Sequence, residues 1–158
     1  MDTSRRQALK GGGGITLFAL LAAAGWLAPE DAAAADAWNK NAFETKSMDE
    51  TMKALGGGTP AQSKDITFFS TPDIAENGAV VPIGITSAVP KTESIAIMVE
   101  KNPNMLAAVF EIPAATEPTL STRIKMAQTS NVYALVKADG KYYVASKEIK
   151  VTLGGCGG

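Results

Sequence analysis

The residues best suited to chemistry lie in the last five positions of the chain, Gly154-Gly155-Cys156-Gly157-Gly158. Cys156 is the only cysteine in the sequence, and two glycines flank it on each side. A thiol on such a terminus has no general base fixed beside it and no preorganised oxyanion donors, so it is poorly suited to nucleophilic catalysis. It is well suited to carry a covalently attached group, because the four glycines predict a slender, flexible arm.

The composition excludes several other kinds of site. The chain has no histidine, which rules out Ser-His-Asp and Cys-His catalytic pairs and imidazole metal ligands. A single cysteine forms no intrachain disulfide or multi-thiolate zinc site, and it leaves a thiol oxidoreductase without a resolving thiol. Fifteen Lys and Arg balance 16 Asp and Glu, so the clustered positive charge that binds nucleic acid is absent. We therefore expect no catalytic residue, no metal, no cofactor and no nucleic-acid partner.

Residues 1–35 have the three regions of a secretory signal peptide. Residues 4–10 are rich in basic side chains, residues 15–28 form a run without a charge, and Ala33-Ala34-Ala35 offers a cleavage site. The run is shorter than the roughly 20 apolar residues of a membrane span. We expect cleavage after Ala35 and a periplasmic protein without a membrane anchor. The alternative is an amphipathic helix packed on the domain, but this run is apolar on all sides.

Residues 36–153 predict a short helix followed by a β-sandwich. Ser47 and Glu50 have the spacing of a capping box, and Met48, Met52 and Leu55 then share one helical face. Gly56 ends this helix, and the segment Gly56-Gly57-Gly58-Thr59-Pro60 predicts a flexible link. Seven β-rich runs follow, separated by Pro, Gly, Asn and Asp. They are Ile66 to Ser70, Ala79 to Ala88, Glu93 to Glu100, Leu106 to Ile112, Thr119 to Met126, Val132 to Ala138 and Lys141 to Leu153.

Seven short strands of this spacing predict a mainly β fold, an immunoglobulin-like antiparallel sandwich. Asp139-Gly140 predicts a two-residue hairpin, and Asn77-Gly78 predicts a second tight turn. Pro82 predicts an edge or bulged strand, because proline cannot donate to a sheet. The domains expected are thus a signal peptide over 1–35, a helix and sandwich over 36–153, and an arm over 154–158.

Three features together resemble the SoxY family, the sulfur-carrier subunits of the periplasmic thiosulfate-oxidising Sox system. They are the glycine-flanked Cys156, the segment Ile74-Ala75-Glu76-Asn77-Gly78-Ala79-Val80-Val81-Pro82, and a leader that resembles a twin-arginine (Tat) signal. The resemblance implies that Cys156 is the covalent attachment point for sulfur intermediates. It also implies that Gly154, Gly155, Gly157 and Gly158 provide flexibility and access.

The resemblance implies partners as well. A haem c protein couples thiosulfate to the cysteine as an S-thiosulfonate, a sulfohydrolase releases sulfate to leave a persulfide, and a sulfur dehydrogenase, where present, oxidises the outer sulfur. The carrier itself catalyses none of these steps. A SoxZ-like subunit is expected to form a stable heterodimer with this chain, so one face of the domain should be apolar without belonging to the core.

A second hypothesis comes from a different class of protein. An immunoglobulin-like periplasmic binding or assembly module with an exposed tail cysteine would use that thiol only for intermolecular disulfides. The two hypotheses differ in the glycines, because a carrier arm should suffer from bulky residues or proline at Gly155 or Gly157, whereas a disulfide-linked module should tolerate them.

Overall fold

The computed structural model describes residues 39–153. The predicted signal peptide and the segment 154–158, which carries Cys156, lie outside this range. The described range contains a 3-10 helix over Lys40–Glu44, one α-helix, α1, over Met48–Ala54, and nine strands. The strands are β1 (Ala61–Gln62), β2 (Ile66–Phe69), β3 (Ile74–Ala75), β4 (Val81–Ser87), β5 (Thr92–Val99), β6 (Leu106–Glu111), β7 (Thr119–Ile124), β8 (Ser130–Ala138) and β9 (Lys141–Val151).

The strands form two sheets. The larger sheet has the order β1-β9-β8-β5-β6, with β3 also paired to β9, and the smaller sheet has the order β2-β4-β7. The pairs of long strands are antiparallel, whereas β1 and β3 each run parallel to β9. The predicted mainly β sandwich with a short N-terminal helix is confirmed, and all seven predicted strands are present with ends that differ by a few residues.

The principal core lies between the two sheets. Alternate residues of β4 and β5 point into it, as predicted from their period of two, and these side chains are fully buried. They are Val81, Ile83 and Ile85 from β4, and Ile95, Ile97 and Val99 from β5. Arg123 and Lys125 are exposed on either side of buried Ile124, which confirms the alternation predicted there.

A second apolar cluster covers the outer face of the larger sheet. Met52 of α1 packs with Ala96 and Met98 of β5, so β5 is buried on both faces. The predicted cap of α1 is present, because the Glu50 N–H donates to Ser47 Oγ over 3.3 Å. The Glu50 carboxylate reaches back one residue further than a capping box requires and accepts from the Lys46 N–H. The helical segment is therefore a third layer on the sandwich.

Within the link predicted after α1, Gly57 is closely packed, whereas Gly56 and Gly58 lie in open space. A Cβ at Gly57 would lie 2.5 Å from Cε2 of Tyr142 and 2.7 Å from Cε of Met52, so the chain passes close beneath both side chains. The Tyr142 hydroxyl also donates to the Leu55 carbonyl over 2.8 Å. Glycine is needed at position 57 because the backbone lies too close to Tyr142 and Met52 to carry a side chain. The local sequence does not reveal these contacts.

The prediction that Pro82 marks an edge or bulged strand is wrong, because β4 is the central strand of its sheet. Pairing between β2 and β4 stops at Phe69 and Gly84. The Gly84 N–H points to the β2 side, where it donates to Thr71 Oγ1. Backbone nitrogens two residues apart in a strand face the same side, so the Pro82 nitrogen also faces β2. Pro82 is tolerated because no strand lies beside that nitrogen.

Both predicted turns are present. Asp139 and Gly140 have φ values of 51° and 72°, the left-handed pair that a two-residue hairpin between β8 and β9 requires. At the other turn, Asn77 Oδ1 accepts from the Ala79 N–H over 2.8 Å.

Across residues 39–153, no helix is long and apolar enough to cross a membrane.

Candidate functional site at the end of strand β9

The point at which the C-terminal segment leaves the sandwich is held by backbone hydrogen bonds. Beyond Val151, the Thr152 N–H donates to the Ala75 carbonyl over 3.1 Å, and the Leu153 carbonyl accepts from the Gly78 N–H over 2.7 Å. We call Thr152 and Leu153 the root. Strand β3 and the turn after it therefore fix the chain as far as Leu153, the last described residue.

Side chains reinforce the same attachment. Thr152 Oγ1 donates to the Glu76 carbonyl over 3.0 Å, so both backbone and side chain of this threonine bind the loop that contains β3. One residue before the root, the Val151 N–H donates to Thr129 Oγ1 over 2.9 Å. We call residues 73–78 the clamp loop, because they hold the root at both of its residues.

The clamp loop is itself tied to β9. The Lys150 N–H donates to the Asp73 carbonyl over 2.9 Å, and Lys147 Nζ lies 3.1 Å from Asp73 Oδ1. The Asp73 carboxylate is largely exposed, so water weakens this ion pair, but Lys147 Nζ also donates to the Thr71 carbonyl. These contacts place Ile74 beside Lys150 in a parallel pair.

The surface around the root has exposed apolar side chains. Ile74 belongs to the clamp loop, Val80 follows it by two residues, and Leu153 ends the root. Exposed Lys150 lies next to Ile74, and the Glu76 side chain is exposed in the clamp loop. Glu76 is thus a solvated turn carboxylate in this structure.

The two groups in the described range whose pKa values are shifted, Tyr133 and Lys137, do not belong to the root or the clamp loop. Desolvation and then the nearby Glu100 charge raise the pKa of Tyr133, although a hydrogen bond with Asn131 opposes them. The Lys137 pKa is raised by its hydrogen bond and ion pair with Glu93. Within residues 39–153, no group of three or more carboxylate or thiol side chains could hold a metal ion.

One groove lies at the opposite end of the sandwich from the root. It has a volume of about 650 Å³ and is lined by the loops after β4 and β6, including Val89, Ile112 and Pro118. The root lies beside the start of β4, and the groove lies at its end, so the length of β4 separates them by about 20 Å. The groove is therefore not part of the surface around the root.

The predicted site residues, Cys156 and the four glycines around it, lie outside the described residues, so their roles stay predictions. The described structure places the end of β9 at the surface, where a carrier segment would have to start. Thr152 and Gly78 were not among the functional positions predicted from the sequence. The sequence did point to this region, because the segment 74–82, on which the family resemblance partly rests, contains most of the clamp loop.

Comparison with known proteins gives the family. A family model described as "Sulfur oxidation protein SoxY" matches residues 51–156, about two thirds of the chain, and its last matched residue is Cys156. The chain belongs to the SoxY family. No curated protein matches the chain.

A solved structure of the SoxY family supports the same assignment. The sulfur carrier protein SoxY from Chlorobium limicola f thiosulfatophilum is 36% identical, and the match covers 67% of this chain and 96% of that one with a TM-score of 0.60. A chain in a structure described as "Structural basis of T cell specificity and activation by the bacterial superantigen toxic shock syndrome toxin-1" is 13% identical, and the match covers 54% of this chain and 97% of that chain with a TM-score of 0.39, which is too low to carry an argument. For this chain, membership of the SoxY family implies Sox-system partners such as a SoxZ subunit.

Proposed function

We propose that this chain is a non-catalytic carrier that holds sulfur intermediates on Cys156 and presents them to partner enzymes during thiosulfate oxidation. One observation carries the proposal: a chain of the SoxY family is anchored firmly up to Leu153, and its only cysteine lies three residues beyond that anchor. Anchoring on one side and four glycines on the other are what a short swinging arm needs.

Every bond, proton and electron in the proposed reactions at Cys156 is accounted for without a catalytic group from this chain. The thiol and thiosulfate join through a new S–S bond, which releases one proton and passes two electrons to a haem c partner. Water then attacks the terminal sulfonate sulfur in a sulfohydrolase, releasing sulfate and leaving a persulfide on Cys156. Oxidation of the outer sulfur with three waters gives an S-sulfonate and passes six electrons to a sulfur dehydrogenase. A second hydrolysis releases sulfate and restores the thiol.

The thiol needs no activation by its own chain in this scheme. An ordinary cysteine with a pKa near 8.5 supplies a few per cent of thiolate near neutral pH, and the oxidising partner provides the driving force. A base in the partner's active site would remove the proton from the thiol.

The proposed organisation of the chain follows from the same function. We propose that residues 1–35 are a twin-arginine type signal peptide removed on export, that 36–153 form the carrier domain, and that 154–158 are a flexible arm in the periplasm. A SoxZ-like subunit would form the heterodimer partner. Export of a folded protein would allow such a subunit to be carried along without its own leader.

Three variants test the proposal in a reconstituted thiosulfate-oxidising system. Cys156→Ser should abolish thiosulfate-dependent electron transfer while leaving the fold and the subunit complex intact. Gly155→Pro should also reduce activity strongly, because it stiffens the arm, whereas Gly58→Ala, a substitution in open space beside the start of β9, should not. If Cys156→Ser keeps full activity, or if its only effect is loss of a covalent dimer, the carrier function is wrong and the disulfide-linked module is favoured.

A further inference from the structure

Asn77-Gly78, the tight turn at the end of the clamp loop, is a chemically weak point of the chain. An asparagine followed by glycine loses its side-chain amide as ammonia more readily than other asparagines do, because no Cβ shields the glycine nitrogen. This is the only Asn-Gly pair in the sequence. Asn77 is exposed to water, whereas Gly78 is buried. The behaviour of the Gly78 nitrogen therefore decides whether the reaction proceeds.

The reaction is an internal substitution followed by hydrolysis. The Gly78 nitrogen attacks Cγ of Asn77, a new C–N bond forms, the Cγ–Nδ2 bond breaks, and ammonia leaves with the proton that the Gly78 nitrogen loses. Water then opens the cyclic imide at one of its two carbonyls. Opening at Cγ gives aspartate. Opening at the main-chain carbonyl gives isoaspartate, whose backbone is longer by one carbon, about 1.5 Å.

The structure holds both reacting groups in other contacts. The Gly78 N–H donates to the Leu153 carbonyl over 2.7 Å, and the Gly78 carbonyl accepts from the Met126 N–H over 2.7 Å. The Asn77 side chain accepts from the Ala79 N–H over 2.8 Å. Before the Gly78 nitrogen can attack, its N–H must leave Leu153 and the Asn77 side chain must leave Ala79. Deamidation therefore requires local opening of the clamp loop.

The root opposes this opening. Thr152 donates from its N–H to the Ala75 carbonyl over 3.1 Å and from Oγ1 to the Glu76 carbonyl over 3.0 Å, so it holds the two residues just before Asn77. The Leu153 carbonyl holds the residue just after it. The rate of deamidation at Asn77 should therefore report how often the root detaches from the clamp loop.

We propose that Asn77 is a deamidation site that the root protects, and that isoaspartate at position 77 in turn releases the root. The extra backbone carbon displaces the Gly78 N–H from the Leu153 carbonyl, so Leu153 is no longer fixed and the free C-terminal segment starts earlier in the chain. This inference does not depend on what Cys156 carries.

The test uses the full mature chain, residues 36–158, incubated at mildly alkaline pH, with peptide mapping by mass spectrometry at each asparagine. Thr152→Pro removes both hydrogen-bond donors of Thr152. Gly155→Pro is the matched control, because it places the same residue beyond the root. Asn102 is an internal reference, since it precedes Pro103, whose nitrogen has no proton to lose.

We expect Thr152→Pro to deamidate Asn77 at least about tenfold faster than the wild-type chain, and Gly155→Pro to stay within about twofold of it, because only the first variant loses hydrogen bonds to the clamp loop. In urea, all three chains should react at one common, faster rate. The inference is overturned if Thr152→Pro reacts at the wild-type rate, or if folded wild-type protein reacts as fast as the chain in urea.

A second measurement tests release of the root without any substitution at Thr152, and it applies even if circular dichroism shows that Thr152→Pro does not fold. Wild-type chain carrying isoaspartate at position 77 is separated by ion exchange, and hydrogen exchange of the Gly78 and Thr152 amides is followed by NMR. Both amides should exchange at least about tenfold faster than in fresh protein, whereas Ala134 in the centre of β8 should be unchanged.

Asn77→Asp is the matched control for this measurement, because it gains the same charge without the extra backbone carbon. We expect it to keep the protection of Gly78 within about twofold of the wild-type chain. Protection of Gly78 that is equal in the isoaspartate form and in fresh protein would overturn the proposed release of the root. Equal loss of protection in Asn77→Asp would also overturn it, because charge and not backbone length would then be the cause.

Discussion

The length of the tether between Leu153 and Cys156 should limit the function much more when it is shortened than when it is lengthened. Deleting Gly154 and Gly155 places the cysteine directly after Leu153, whose carbonyl is held by Gly78. The reach then falls from about 10 Å to about 3.5 Å. Because misplacement of a reacting group by even 1 Å can cost about 10²-fold in rate, we expect partner-dependent modification of Cys156 to fall at least that far.

Lengthening the tether has a small entropic effect instead. Inserting two glycines after Gly155 extends the tether from three residues to five. The added loop entropy is 1.5RT ln(5/3), about 0.45 kcal/mol, or roughly twofold in rate. The longer arm still reaches every depth that the natural arm reaches, so we expect it to retain most of the activity.

Intact mass spectrometry of Cys156, sampled over time with limiting thiosulfate-coupling partner, measures both variants. Iodoacetamide alkylation serves as the control for an exposed thiol, and circular dichroism confirms that the sandwich remains folded. The reasoning is refuted if the shortened chain is modified within about threefold of the wild-type rate, or if the two changes reduce the rate equally. Either result would mean that partners do not need a cysteine projected from the root.

Three further predictions concern the described sandwich. Gly84→Ala should lower the free energy of unfolding by about 1–3 kcal/mol in urea titrations, because its Cβ would overlap the carbonyl of a neighbouring strand and the ring of Phe69, whereas Gly58→Ala should have little effect. Tyr142→Phe should cost about 1 kcal/mol in the same assay, since it removes the hydroxyl bond to α1's end; a change below about 0.3 kcal/mol would contradict this. Raised pKa values at Tyr133 and Lys137 mean that the folded state holds these protons more tightly than the unfolded state, so stability should fall as the pH rises above about 10, and Tyr133→Phe should weaken this fall; equal pH profiles would contradict it.

Much of the fold could be predicted because its information is local. The alternation of Ile95, Ile97 and Val99 identifies a strand face without any knowledge of its neighbours, and Asp139-Gly140 defines a hairpin by its own backbone preferences. The capping contact at Ser47 is likewise contained within four residues. These features require only short-range stereochemistry.

The features that sequence reasoning missed depend on distant contacts. Strands β1 and β3 contain two residues each, too few for a periodicity, and they exist only because β9 offers its edge. Pro82 is acceptable in a central strand because β2 ends early, and Gly57 is packed because Tyr142 lies over it, 85 residues away in sequence.

The candidate site shows the same division. Cys156 stands out from composition alone, because it is the single thiol and is placed among glycines. The root is attached by hydrogen bonds that Thr152 donates to, and the Leu153 carbonyl accepts from, residues more than 70 positions earlier, and no local pattern reveals these bonds. The anchoring of Thr152 and Leu153 is therefore apparent only in the three-dimensional structure.

The most direct test of the central claim is intact mass spectrometry of the chain purified from thiosulfate-grown cells under non-reducing conditions, with partners kept together. The carrier function predicts thiosulfonate, persulfide or longer sulfur adducts that map to Cys156 and disappear on reduction. A clean thiol, or only a disulfide between two chains, repeated under these growth conditions, would contradict it.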